Sequence, residues 1–110
     1  MDYEQKLLEA KNANGGGEIL VVETEIEGAE VLGFRVPKAG EWKRYRAEQS
    51  DPNPAIKSAA ATPLVHSCCI YPDAATFQKL VEGRPGLIET CIGELIEFAG
   101  ANAAKKVRKL

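Results

Sequence analysis

From Glu18 to Glu27 the chain alternates, with Leu20, Val22, Thr24 and Ile26 on one side and Glu23, Glu25 and Glu27 on the other. That two-residue period predicts a half-buried β-strand. A second run sets Leu32, Phe34 and Val36 against Val31, Gly33 and Arg35 and stops at Pro37, which has no amide hydrogen for a ladder. The two runs make a hairpin. A two-residue loop, Gly28-Ala29, would set Glu27 against Glu30 and mismatch the apolar faces. A three-residue loop, Gly28-Ala29-Glu30, sets Ile26 opposite Leu32, Thr24 opposite Phe34 and Val22 opposite Val36. The resulting apolar face needs a helical cover, because an isolated hairpin is only marginally stable.

Helical patterns surround the hairpin. Before it, Tyr3, Leu7 and Leu8 suit a short helix capped by Asp2, and Asn14-Gly15-Gly16-Gly17 then loosens its connection to the first strand. After it, a helix opens near Gly40-Glu41-Trp42, with Trp42 and Tyr45 on one side covering the hairpin, and Ser50-Asp51-Pro52-Asn53-Pro54 ends it. Asn53 caps a further helix whose apolar set is Ala61, Leu64, Val65, Cys68 and Cys69. Pro63 either kinks it or divides it so that Thr62 caps a second segment through Ile70, and the kink is preferred. Asp73 caps the next helix, with Pro72 placed to staple Phe77, and Gly83 closes it. Pro85 opens the last clear helix, whose stripe is Leu87, Ile88, Cys91, Ile92, Leu95, Ile96 and Ala99, with Gly100 at its end.

This pattern predicts a single α+β domain over residues 18–100, an N-terminal β-hairpin followed by about four α-helices. It is preceded by a mobile Gly-linked arm (1–17) and followed by a basic tail (101–110) that extends as a frayed helix. A length of 110 residues leaves no room for a second core. Hydrophobic residues at 45% and charged residues at 27% disfavour wholesale disorder. Fourteen Lys and Arg against sixteen Asp and Glu give a net charge of −2, which disfavours nucleic acid as a general partner. No apolar run approaches the roughly 20 residues that span a bilayer, and Met1-Asp2-Tyr3-Glu4-Gln5 lacks the basic start of a secretory signal. A cytoplasmic location away from membranes is expected. Three cysteines, two of them vicinal, read as reduced thiols.

Candidate chemistry is sparse. His66, Cys68, Cys69 and Cys91 are the right ligand types for zinc, but the adjacent pair lacks the usual spacing of about two to four residues and projects about 100° apart on a helix. Buried thiols on a core helix are the preferred reading. His66 and Cys68, two apart, point to different sides of a helix and make a poor nucleophile pair. Gly15-Gly16-Gly17 lacks the Lys and Ser or Thr of a phosphate loop and precedes a strand. Glu23, Glu25 and Glu27 read as a solvated face rather than a cation site. Lys105, Lys106, Arg108 and Lys109 suit a helix C-terminus better than nucleic acid. Trp42 and Tyr45 read as core, with a partner surface as the alternative. No catalytic, cofactor-binding or metal-binding residue is assigned, no cofactor is expected, and the partner-binding residues are left open.

Three stretches carry a family resemblance. They are Phe34-Arg35-Val36-Pro37 leading to Glu41-Trp42-Lys43-Arg44-Tyr45, then Val65 to Asp73 with its Tyr71-Pro72-Asp73 ending, and Arg84-Pro85-Gly86-Leu87 leading to Glu97-Phe98-Ala99-Gly100. Over about residues 30–100 the chain resembles the tail assembly chaperones of long-tailed bacteriophages and prophages. The resemblance implies a non-enzymatic protein in the cytoplasm of a bacterial host. It would bind the tape measure protein and keep its long apolar helices soluble until tail-tube subunits polymerise around it. The tail-tube protein is a second partner to expect, and self-association is left open. The family often makes a longer product by ribosomal frameshifting, for which Ala104-Lys105-Lys106 would supply a slippery run of adenines. Two alternatives of other classes stand beside it. One is a small regulatory or nucleic-acid-binding protein using the basic tail with Lys43, Arg44 and Arg46, and the other is a cysteine enzyme or metal protein.

Overall fold

The computed structural model describes residues 3–101 and 107–109. Its elements run α1 (Tyr3–Ala13), β1 (Ile19–Glu23), β2 (Val31–Arg35), α2 (Ala39–Gln49), α3 (Pro54–Ala59), α4 (Ala61–Cys68), β3 (Cys69–Tyr71), α5 (Ala74–Gly83) and α6 (Leu87–Phe98). The architecture is α+β, with the hairpin followed by helices, and the strands form one antiparallel sheet in the order β1-β2-β3. The expected Asp2 cap and the expected helix of the basic tail lie wholly or largely outside the described residues.

The hairpin register differs from the expectation. Leu20 faces Phe34 and Val22 faces Leu32, so the strands end at Glu23 and Val31 rather than running to the loop expected at Gly28–Glu30. The Thr24 side chain causes this. Its hydroxyl donates to the Ala29 carbonyl at 2.7 Å and accepts from the Ile26 amide at 3.0 Å, while the Thr24 amide donates to Glu30 at 3.1 Å. A Thr side chain that satisfies backbone groups locally competes with the ladder. The loop then closes over Ala29, which is wholly buried, and over Gly28, whose φ of +86° suits glycine. The displacement is even, so every side chain keeps its face. Leu20, Val22, Leu32 and Phe34 remain on the apolar side, where α6 and α5 cover them.

The second correction is a third strand. The helix expected to reach Ile70 ends at Cys68, and Cys69–Tyr71 turns extended to pair with β2, Gly33 opposite Tyr71 and Phe34 opposite Cys69. Three residues are too few to show a period, and the pairing comes from a strand distant in sequence. The Tyr71–Pro72 peptide at the end of β3 is cis.

Pro63 acts one turn before its own position. It has no N–H for the Ala59 carbonyl, and the helix is interrupted at Ala60, which keeps helical dihedrals of −61° and −37°. α3 and α4 are thus the two arms of a kinked helix, which matches the preferred reading, with the break at Ala60 and not at a Thr62 cap. Asn53 caps α3 by accepting from the Ala55 amide, and Asp73 caps α5 by accepting from the Thr76 amide. α6 starts at Leu87, later than the Pro85 start expected, because Arg84–Leu87 makes a tight turn first, with the Leu87 amide bonded to Arg84.

One core is shared by the sheet, α2, α4, α5 and α6. Phe34, Phe77, Leu32, Leu87, Leu95, Val65, Cys68 and Cys91 are its largest fully buried side chains, and Phe34 meets Phe77 edge to face at 6.1 Å. α2 packs on α3 and α4 instead of covering the hairpin as expected; Tyr45 enters the core and Trp42 lies half-buried against it, 5.5 Å from the Tyr45 ring. α1, in the stretch expected as an arm, lies on the opposite face of the sheet over β2 and β3. Leu7 reaches Gly33 there, and the Tyr3 ring stands edge-on to Tyr71 at 6.2 Å.

Candidate functional site

Three separate stretches of the chain converge on Arg35, the last residue of β2. Its guanidinium makes two parallel bonds of 2.8 Å to the Glu41 carboxylate and a third, of 2.9 Å, to the Ser67 carbonyl near the end of α4. Glu41 also accepts from the Lys38 amide at 2.8 Å, closing the first turn of α2. Paired and shielded in this way, the Glu41 carboxyl is held down to about 2, the Arg35 hydrogen bonds being the larger cause, and Arg35 is raised in return. In the sequence pattern Glu41 reads as a helix-dipole residue and Arg35 carries no role. The signal that could have found the pair was a capping carboxylate at the third position of a helix entered directly from an arginine-tipped strand.

Beside this clamp is an open hollow of about 60 Å³ between α2 and the α3–α4 arms. Tyr45, Ala60, Pro63 and Leu64 give it apolar walls, and Glu41, Arg44, Glu48 and Ser67 stand around it. Arg44 bonds Glu48 at 2.7 Å across one turn, so the charges beside the hollow are paired with one another. Burial raises the Tyr45 hydroxyl above its ordinary value of 10.0. A second hollow, of about 210 Å³, lies between the Asn14–Gly17 link and the end of the sheet, lined in part by Ile19, Arg35, Val36 and Lys38.

The three thiols lie buried or half-buried in and beside the core. Burial pushes Cys68 and Cys91 up to about 11 and Cys69 up to about 12, so each is held as the neutral thiol at neutral pH. Cys69 directs its Sγ to the Tyr71 carbonyl at 3.5 Å, and His66 sets its ring edge-on to Phe77 at 5.1 Å. Among the described residues, no group of three or more His, Cys, Asp or Glu side chains is placed to hold a metal ion. Glu23, Glu25 and Glu27 are exposed. Arg46 donates to Gln49 at 3.0 Å and Arg44 to Glu48, so two of the α2 cations considered for nucleic acid are engaged by neighbours on their own helix. Lys105 and Lys106 lie outside the described residues. No helix among those described is long and apolar enough to cross a membrane.

No family model matches the chain, and no curated protein matches it. The fold is similar to a solved structure of an uncharacterised protein from Bacillus stearothermophilus, at a TM-score of 0.68 and 28% identity, over 91% of this chain and 97% of that one. The likeness covers most of both chains, so the α+β arrangement is a fold that another protein adopts.

Proposed function

We propose that the chain binds another polypeptide and performs no covalent chemistry, acting as a phage tail assembly chaperone that holds the apolar helices of a tape measure protein. One observation carries the reading. The three stretches that resemble that family are not scattered: the Arg35 clamp joins the first to the second, and α4 against α6 joins the second to the third. The hollow beside the clamp takes Glu41, Arg44 and Tyr45 from the first stretch and Ser67 from the second, and Tyr45, Ala60 and Leu64 are its buried walls. Apolar walls with a polar rim on helical arms suit an anchor side chain of an amphipathic helix.

The reading is tested by producing the chain together with a tape measure protein. Soluble complex is expected from the natural chain, and Ser67→Trp, which fills the hollow from an exposed position, is expected to weaken capture about tenfold. Insoluble tape measure protein in the presence of folded chain, or turnover of a small molecule by pure material, would refute it. In the gene, a tail-tube frame upstream and a very long helical frame downstream are expected.

A further inference from the structure

β1 is an edge strand, and its open side has a definite pattern of donors and acceptors. The Thr24 amide bonds Glu30 in the same register as the Leu20–Phe34 and Val22–Leu32 pairs. Facing pairs alternate in an antiparallel ladder, so Leu20 and Val22 turn their backbone polar groups to β2, while Ile19, Val21 and Glu23 turn theirs outward. On β2 the same parity sends the backbone of Gly33, which faces Val21, toward β3. The edge carries neither Lys nor Pro, the β1–β2 register has no bulge, and the one charged side chain within the strand is Glu23 at its end. α1 lies over β2 and β3, and Val21 is left 41% exposed.

We infer that this edge pairs with the same edge of a second copy of the chain, antiparallel about a two-fold axis at Val21. The strand is complementary to itself in that register. Val21 faces its own copy and Ile19 faces Glu23, so every outward N–H and C=O of the strand meets a partner. Leu20 then faces Val22, and the apolar inner side of the sheet runs on across the axis. Charge agrees. Glu18 falls opposite Thr24, Glu23 opposite Ile19 and Glu25 opposite Gly17, so no carboxylate faces another. An isologous contact of this kind closes on itself, and no residue of β1 lines the hollow between α2 and α4. The pairing therefore does not depend on the chaperone reading.

Sedimentation of the full chain over a range of concentrations tests the pairing, and a rise to twice the monomer mass is expected. Val21→Pro deletes one outward N–H without touching the bonds to β2, so it is expected to stay at monomer mass with an unchanged circular dichroism spectrum. In the natural chain, hydrogen exchange at the Ile19, Val21 and Glu23 amides is expected to slow as concentration rises. Monomer mass at every concentration, concentration-independent fast exchange at those amides, doubled mass in folded Val21→Pro, or protection that appears only when an unrelated protein is added would each overturn the proposal.

Discussion

Glu41 shows how much one side chain can hold. It ties the N-terminus of α2 to β2 and, through Arg35, to the end of α4, and both partners are mostly shielded from water. Glu41→Ala should cost about 1.5–3 kcal/mol in urea denaturation, the range for hydrogen bonds to charged groups. The pH dependence has a definite sign. The folded value, about 2, lies below the ordinary 4.5, so the stabilisation is full above pH 4.5 and is lost as the pH falls toward 2. Glu41→Ala should flatten that part of the stability profile. The thiols behave in the opposite sense. Their folded values of about 11 to 12 lie above the ordinary 9.0, so they weaken the fold only as the pH rises past 9. Below that pH, thiol reagents should label Cys68, Cys69 and Cys91 slowly in the folded chain and rapidly once it is denatured.

Among the elements, the packing of α1 rests on an absent side chain. A Cβ at Gly33 would lie 2.9 Å from the Leu7 Cδ2, the end of a flexible side chain that can shift. Gly33→Ala should therefore lift α1 rather than unfold the sheet, at a cost of about 1 kcal/mol. The expected readout is faster protease cleavage in the Asn14–Gly17 link, and adding Leu7→Ala to that variant should remove the clash. Caps explain why helix starts could be read in advance: Asn53 and Asp73 each accept an amide a few residues on, and the donor and acceptor are neighbours in sequence. The start of α6 was harder to read, because Pro85 and Gly86 suit a turn as well as a first helical turn.

Across the molecule, the sheet, α4, α5 and α6 share one core, so a single cooperative unfolding transition is expected. Leu95→Ala, at a wholly buried position of α6, should lower its stability by about 3 kcal/mol in the same denaturation experiment. The strand faces, the kinked helix before β3, the caps and the apolar stripe of α6 are legible in the order of residues alone, because each depends on neighbours within a turn or a pleat. The third strand, the position of α1 and the hollow beside Arg35 exist only through long-range packing, whereas the hairpin register departs from the alternation through a local side-chain bond. The register turned on a Thr24 hydroxyl that competes with the ladder, and the strand at Cys69 exists because β2 offers it a distant partner. The Arg35 clamp spans 32 residues to Ser67, and no local period can announce a contact of that length.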